Sequence, residues 1–306
     1  MILRDSTLRE GLDTPGVTLS LDQRLRIAEL LAEAGVPEAE VVAPSRVAKD
    51  LEVARAIKTR GTQLQLSGLI YAYSDRCAEE TALSCECLDW VTLLMPLSAH
   101  RKPALPDEKI AMMCSALDRA VARKHEIGVG FPHSTQADID FLVRIGEAAV
   151  SHGARRITVY DTNGSSEPFR TKELVERLCE SWGADIFFHG HNDLGLATAN
   201  ALAAAAGGAS GLDVTVNGLG DRAGNASLEQ VVINLNRAGR TLGVRPETFA
   251  VLSEAVAEMT GVAVSGLAPV VGEYVFMHKS PSHLQVPELF EAFDPALVGA
   301  KRRLVE

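Results

Sequence analysis

Two histidines separated by one residue, His189 and His191, have the spacing of a metal-binding pair. They end an apolar run typical of a β-strand, and because side chains alternate along a strand, both imidazoles would point to the same side. Such a pair alone is often incidental, so a further ligand is needed. Glu10, at the end of the first predicted strand, adds a carboxylate. Two imidazoles and one carboxylate would leave positions open for a substrate carbonyl, which suits Lewis-acid chemistry.

Arg9 stands beside this carboxylate, and a guanidinium there could stabilise an oxyanion that develops on a substrate. The alternative is a structural ion pair with Asp5 or Glu40, and the spacing alone favours neither interpretation. Glu40 lies in the otherwise apolar run Ala39-Glu40-Val41-Val42. It could be a plain partner of Arg9, or it could orient Arg9 for catalysis.

These residues require a scaffold in which the ends of several strands meet. Short apolar runs alternate with amphipathic helices along the chain, which indicates parallel strands joined by crossover helices. Eight such units predict an α/β fold, a (β/α)8 TIM barrel, whose active sites lie at the carboxyl ends of the strands. The predicted strands are Ile2–Thr7, Ala39–Ala43, Gln65–Ile70, Trp90–Met95, Ile127–Gly130, Arg156–Tyr160, Asp185–His189 and Leu212–Val216.

The alternation ends after about Leu242. A helix predicted over Thr248–Met259 leads into a segment rich in Gly, Pro and Ser. We therefore predict a catalytic barrel over residues 1–242 and a short helical C-terminal appendage over residues 243–306.

The composition argues against several classes of protein. The formal net charge is −10, so the clustered Lys and Arg that bind nucleic acid are not expected. No apolar run approaches the roughly 18 residues of a membrane span, and charges follow directly after Met1-Ile2-Leu3, so neither a membrane segment nor a secretory signal is expected. The five cysteines contain no C-x-x-C pair, which predicts a reducing, cytoplasmic setting.

Three longer motifs follow one another along the chain. They are Asp5-Ser6-Thr7-Leu8-Arg9-Glu10-Gly11, His189-Gly190-His191-Asn192-Asp193-Leu194-Gly195 and Gly218-Leu219-Gly220-Asp221-Arg222-Ala223-Gly224-Asn225-Ala226. Together they resemble the DRE-TIM metallolyases, which include 2-isopropylmalate, homocitrate and citramalate synthases and 3-hydroxy-3-methylglutaryl-CoA lyase. The resemblance spans nearly the whole chain.

The resemblance implies a divalent metal site. Glu10, His189 and His191 would be its ligands, with Asn225 either a weaker ligand or a group that contacts the ligands. One carboxylate with two imidazoles suits Zn²⁺, Mn²⁺ or Co²⁺, and an open octahedron with waters would admit Mg²⁺.

The resemblance also implies a Claisen-type condensation of an acyl-CoA, such as acetyl-CoA, with a 2-oxo acid. Arg9 would stabilise the enolate or alkoxide, and Glu40 would be the acid of the family's Asp/Glu-Arg-Glu signature. Thr162, in Asp161-Thr162-Asn163-Gly164, would bind the carboxylate of the 2-oxo acid.

The C-terminal appendage carries a further resemblance to the synthases. Val271-Gly272-Glu273-Tyr274-Val275-Phe276-Met277-His278 and Ser280-Pro281-Ser282-His283 are similar to the segment whose second histidine, here His283, enters a partner subunit's active site as acid or base. This predicts a homodimer. We interpret His278 as an ordinary residue without a converging partner.

Two departures from the synthase pattern keep alternatives open. Phe131-Pro132-His133-Ser134 replaces the acidic run that synthases place after strand five, and Phe290 stands where they often have a tyrosine. His133 could be a loop residue or a replacement acid–base group. The altered loop favours a lyase of the same family as one alternative. A catalytically inactive barrel that serves as a partner subunit is the other, and retention of the metal and arginine residues speaks against it.

Two further hypotheses concern substrate contacts. Leu93, Met95 and Pro132 are the side chains expected to shape the 2-oxo acid pocket. Arg101-Lys102 could meet the phosphates of CoA, although a short charged run of this kind is more typical of a solvated loop.

Overall fold

A computed structural model describes residues 1–101 and 105–305. Eight parallel strands form a closed barrel in which β1 pairs with both β2 and β8. The strands are β1 Ile2–Asp5, β2 Glu38–Val42, β3 Gln65–Tyr71, β4 Trp90–Leu94, β5 Ile127–Phe131, β6 Arg156–Asp161, β7 Asp185–Gly190 and β8 Gly211–Val214. The predicted TIM barrel is therefore confirmed, with strand ends that differ by up to two residues.

A helix follows each strand and packs on the outside of the barrel. These helices are α1 Leu21–Glu33, α2 Val47–Thr59, α3 Cys77–Cys87, α4 Pro106–Val121, α5 Ile139–Ser151, α6 Pro168–Ser181, α7 Ala197–Ala206 and α8 Leu228–Arg237. Neighbouring helices approach closely where a side chain is missing. At Gly146 in α5, a Cβ atom would lie 2.0 Å from the ring of Trp182, so this position requires glycine. No described helix has the length and apolar character needed to cross a membrane.

The interior of the barrel contains charged side chains below its mouth. Arg4, Glu38 and Arg156 are almost completely buried. Arg156 Nη1 donates to Glu38 Oε2 at 2.9 Å, and its guanidinium lies over the rings of Trp90 and Phe187 at 3.9 and 4.0 Å. Because an unpaired charge is costly to bury, each of these groups has an opposite charge beside it. The residues at the mouth thus stand on a layer of ion pairs.

The chain continues beyond the barrel in a ninth helix and a small two-stranded sheet. Helix α9, Phe249–Thr260, matches the predicted helix. It is capped by Gly261, whose φ of 71° is the left-handed conformation that favours glycine. Strands β9 Met277–His278 and β10 Arg303–Leu304 pair in parallel, and helix α10, Pro281–Gln285, lies between them in sequence. The division of the chain at residues 242 and 243 stays a prediction.

Candidate active site

Three predicted metal ligands meet at the mouth of the barrel. His189 lies in β7, and His191 directly follows that strand. Glu10 follows β1, which pairs with β8 where the barrel closes. Their ligand atoms all lie within 4.8 Å of one another, and all three residues are buried. His189 Nε2 is 3.4 Å from His191 Nε2, which is 3.5 Å from Glu10 Oε1. Ligands bound at about 2.1 Å to one ion are separated by about 3.0 to 3.5 Å, so the cluster has suitable dimensions for a metal.

The two imidazoles are also in a suitable electronic state. The carboxylate of Asp213 lies 3.0 Å from His189 Nδ1, so this nitrogen donates and Nε2 keeps its lone pair. Burial and the neighbouring His189 lower the pKa of His191 to about 3, which keeps its ring neutral. Burial alone would raise the pKa of Asp213, but Arg4 and His189 outweigh it and hold that pKa well below its ordinary value.

Asn225 completes the group of predicted ligands. Its amide nitrogen is placed 3.5 Å from His189 Nε2, and its buried Oδ1 has no hydrogen-bond partner in the described part of the chain. Because a half-turn exchanges the two amide atoms, Asn225 can present its oxygen to the cluster. A Cβ at Gly220, whose φ is 155°, would lie 2.3 Å from that amide, so glycine leaves the space it needs. This arrangement fits a weaker ligand.

Arg9 is held between two carboxylates. Its Nε donates to Glu40 Oε2 at 2.5 Å, and it forms ion pairs with Glu10 and Glu40. Burial would lower the pKa of Arg9, but Glu40 outweighs this effect and raises it. Asp5 is not a partner of Arg9 and instead accepts a hydrogen bond from the backbone N–H of Thr7 at 2.9 Å. Of the two ion pairs that the sequence left open for Arg9, the structure therefore shows the one with Glu40 and not the one with Asp5.

Sequence reasoning missed two charged residues beneath the cluster. Arg4 Nε and Nη2 each donate to a carboxylate oxygen of Asp213 at 2.8 Å. Arg4 Nε is also 3.8 Å from Glu40 Oε1. Arg4 thus connects His189, through Asp213, with Arg9, through Glu40. A charged residue within an apolar strand was the available signal at Asp213, as it was at Glu40.

Thr162 lies at the mouth on the loop that follows β6. Its Oγ1 accepts from the backbone N–H of His133 at 2.7 Å, so its hydroxyl proton is free to donate. His133 has a left-handed φ of 67° and joins the loop after β5 to Thr162. Arg222 Nη2 donates to the carbonyl of Thr162 at 2.8 Å and also pairs with Asp193. The four loops that follow β5, β6, β7 and β8 are thereby held together beside the cluster.

A cavity of about 200 Å³ opens above these residues. Glu10, Arg9, Thr162 and both histidines line it, and Pro132 does so as predicted. The prediction for Leu93 and Met95 is wrong, because both side chains point into the apolar core behind β4. Leu94, between them, faces the cavity since side chains alternate along a strand. Leu69 and Tyr160 also form part of this wall.

Comparison with known proteins identifies the family of the chain. The model of HMGL-like proteins matches residues 1–256. The chain belongs to the HMGL-like family. The 2-isopropylmalate synthase 2 of Caldanaerobacter subterraneus is 34% identical to this HMGL-like protein, covering 98% of this chain and 80% of the synthase. A homocitrate synthase of Methanopyrus kandleri is also 34% identical, covering 100% of this chain and 78% of that protein.

A solved structure confirms the architecture of this HMGL-like chain. The hydroxymethylglutaryl-CoA lyase of Pseudomonas aeruginosa superposes with a TM-score of 0.73 at 19% identity. The superposition covers 87% of this chain and 95% of the lyase. At this identity the similarity concerns the fold alone.

The HMGL-like chain has a second histidine cluster in its C-terminal segment. His283 stacks on Phe290 with ring centroids 3.7 Å apart, and its Nδ1 is 3.3 Å from His278 Nδ1. His278 Nε2 is 3.0 Å from Glu291 Oε1, and Arg302 donates two hydrogen bonds of 2.7 Å to that carboxylate. The interpretation of His278 as a residue without a converging partner is therefore wrong. The pairing of β9 with β10 encloses the turn that brings these side chains together.

Three other residues from the sequence hypotheses do not line the cavity of the HMGL-like barrel among the described residues. His133 is part of a neighbouring cavity that Leu97, His100 and Lys109 also line. Lys102 lies outside the described residues. The carbonyl of Arg101 accepts from Lys109 Nζ at 3.1 Å, which fixes the loop after β4 and gives no support to a phosphate contact.

Proposed function

We propose that this chain is an acyltransferase that condenses an acyl-CoA, such as acetyl-CoA, with a 2-oxo acid. Water then hydrolyses the thioester, which releases CoA and a 2-alkylmalate-like acid. The observation that carries the proposal is Arg9, which Glu10 and Glu40 hold at the wall of the cavity that contains the Glu10, His189 and His191 cluster. Relatives named as 2-isopropylmalate and homocitrate synthases match almost the whole chain, which supports a synthase. The free cysteines are in keeping with a cytoplasmic enzyme.

The metal requirement follows from the ligand set. A divalent ion, Zn²⁺, Mn²⁺, Co²⁺ or Mg²⁺, held by Glu10, His189 and His191 with Asn225 as a weaker ligand, would polarise the carbonyl of a 2-oxo acid. Asp213 fixes the ring of His189 for this purpose. Arg4 keeps Asp213 ionised and in place, because it donates to both carboxylate oxygens.

Polar and charged residues around the cavity stabilise and orient the substrate. Arg9 stabilises the oxyanion that develops on the substrate, and Glu40 orients the guanidinium by accepting from its Nε. Thr162 donates its hydroxyl to the substrate carboxylate, since its acceptor side already holds His133 N–H. Preorganised donors of this kind are worth about a hundredfold or more in rate each.

A second copy of the chain supplies His283. Helix α8 returns from the mouth, so its last residue, Arg237, lies at the end of the barrel where the strands begin. Arg237 Nη1 donates to the carbonyl of Ala292 at 2.6 Å, which holds the segment around Phe290 near that opposite end. His283 stacks on Phe290 and is therefore kept away from the cavity of its own barrel. A homodimer would bring it to the other subunit's site.

The surface of the C-terminal segment supports this arrangement. Several large apolar side chains there are exposed and would be buried against a neighbouring subunit: Leu267, Tyr274, Val286, Leu289, Phe290, Leu297 and Leu304. Obligate dimers bury apolar surface of this kind. The occupant we propose is a second copy, because His283, in the same segment, does not line the described cavity of its own barrel.

A lyase of the same family is the second candidate. The observation that favours it is the loop after β5, where Pro132 and His133 stand in place of an acidic run. A lyase would form acetyl-CoA from a larger acyl-CoA, whereas a synthase would consume acetyl-CoA, so the direction of the thioester balance distinguishes them.

A thiol-release assay tests the proposal. The metal-loaded protein is incubated with acetyl-CoA and a panel of 2-oxo acids, and free CoA is measured against time. We expect CoA release that depends on one or a few 2-oxo acids and that stops after chelation. Reactions that contain acetyl-CoA but no 2-oxo acid control for simple hydrolysis of the thioester. Absence of release with the whole panel, together with acetyl-CoA formation from 3-hydroxyacyl-CoA substrates, would favour the lyase.

A further inference from the structure

Tyr160 lines the cavity and carries a buried hydroxyl that is unsatisfied. It is the penultimate residue of β6, its ring lies 4.8 Å from that of His189, and it is only 6% exposed. Within residues 1–101 and 105–305, its hydroxyl has no hydrogen-bond partner. A buried hydroxyl without a partner is destabilising, so such a group is expected to meet an acceptor on a ligand.

The barrel is shaped to receive this ring. Tyr160 extends from β6 across the neighbouring strand β5 towards β4, where Gly130 and Leu94 lie beneath it. A Cβ at Gly130 would be 2.9 Å from Tyr160 Cε2 and 3.2 Å from its hydroxyl oxygen. Any larger residue at this position would push the ring away. The phenol therefore occupies a space that the absence of a side chain at Gly130 creates.

The hydroxyl acts as a donor. A phenol keeps its proton at neutral pH and can donate it to an acceptor. The side chain packs with Leu69 and Leu94, which offer no acceptor of their own. The missing partner must then come from whatever fills the cavity.

The position of Tyr160 indicates which part of the substrate it meets. Thr162 lies two residues further along the same face and therefore nearer the mouth. With the substrate carboxylate at Thr162 and its keto group at the cluster, the remaining substituent of the 2-oxo acid faces the wall formed by Leu69, Leu94 and Tyr160. This step rests on the function proposed above.

We infer that Tyr160 is a specificity residue whose hydroxyl donates a hydrogen bond to an uncharged oxygen on the side chain of the 2-oxo acid. A negatively charged substituent would lack a counter-ion there. Of the described residues that line the cavity, Arg9 is the one with a positive charge, and Glu10 and Glu40 already pair with it. A fully apolar substituent would leave the hydroxyl without a partner.

Two nearly isosteric substrates test the inference. In 4-hydroxy-2-oxobutanoate a hydroxyl stands where 2-oxopentanoate has a methyl group. We expect the wild-type enzyme to prefer the hydroxylated acid in kcat/KM, and Tyr160→Phe to reduce that preference by about ten- to a hundredfold. Titration of each acid into the metal-loaded protein without acetyl-CoA provides the same comparison as dissociation constants, independent of turnover.

The controls separate specificity from stability. Tyr160→Phe removes only the unpartnered hydroxyl, so its unfolding temperature should equal or exceed that of the wild type. Tyr73→Phe, on the loop after β3 and outside the cavity lining, should keep the wild-type preference. If Tyr160→Phe retains the full preference while both acids still release CoA, the inference is wrong and the proposed function stands. If no 2-oxo acid binds or releases CoA in the wild type, both are wrong.

Discussion

Asp213 accepts a hydrogen bond from Nδ1 of His189 at 3.0 Å and thereby decides which nitrogen of that ring can bind a metal. Contacts of this kind between a carboxylate and a ligating histidine set the tautomer and raise the basicity of the ligand. The position of Asp213 is itself fixed, because Arg4 faces it directly across the β1–β8 pair.

Asp213→Asn is expected to weaken metal binding by about ten- to a hundredfold, because the amide neither carries the charge nor balances Arg4. Calorimetric titration of the metal-free protein with Zn²⁺ or Co²⁺ measures the effect. Asp185→Asn, an exposed position at the start of β7, is the matched control and should bind as the wild type does. Equal affinities in both variants would remove Asp213 from the account of the site.

His189→Ala and His191→Ala should each remove the metal, since each withdraws one of three strong ligands. The wild type should carry about one divalent ion per chain by elemental analysis. His125→Ala, at an exposed position far along the chain from the cluster, should retain the ion. Full metal content in both ligand variants would contradict the assignment.

Arg9→Lys should keep the metal and the fold but lower kcat by about a hundredfold or more, because lysine lacks the planar group that contacts Glu40 and an oxyanion together. Thiol release at saturating substrate measures the loss, and metal analysis with thermal unfolding establishes that the site remains. Arg26→Lys on the exposed face of α1 provides the comparison. Normal turnover in Arg9→Lys would reduce Arg9 to a structural partner of Glu40.

A mixture of inactive chains tests whether His283 acts across a dimer. His283→Ala and Arg9→Ala should each be nearly inactive, yet a heterodimer would contain one site with both residues intact. Random pairing should then recover up to about a quarter of the wild-type rate. Mass spectrometry under native conditions verifies that heterodimers are present. Mixtures that contain them but stay inactive would mean that His283 does not serve a partner subunit.

Asp5 should make the stability of the fold dependent on pH. Burial raises the pKa of Asp5 to about 7, from 3.8 in an exposed chain. Between these values the unfolded chain releases a proton that the folded one retains, so this group's contribution to stability is lost as the pH rises from about 4 to about 7. Asp5→Asn should therefore gain stability relative to the wild type on going from about pH 4 to about pH 8. Urea unfolding measures the difference, and Asp75→Asn in an exposed turn should show none.

The metal cluster could be predicted because its members follow strands. Glu10, His189 and His191 each come where an apolar run ends, and a closed barrel brings such positions together. Arg4 and Asp213 were missed because their contact depends on the register between β1 and β8, which the sequence of either strand does not reveal. Leu94 was missed for a smaller reason. The choice between it and Leu93 depends on strand parity, and an error of one residue exchanges the two faces.

The C-terminal cluster could not be predicted for another reason. His283 comes 5 residues after His278, and Glu291 comes 13 residues after it. No helix or strand period matches these intervals. The contacts depend on how residues 281–291 fold back against β9, and Arg302, next to β10, also holds Glu291.

The closure of the barrel by β1 and β8 also sets an order of events during synthesis. One metal ligand, Glu10, lies near the start of the chain, whereas His189 and His191 come after six complete strand–helix units. A growing chain on the ribosome therefore cannot assemble the ligand set until the seventh strand has emerged. Once bound, the ion would connect the first and last parts of the barrel where β1 meets β8. It would thereby stabilise that junction against local opening.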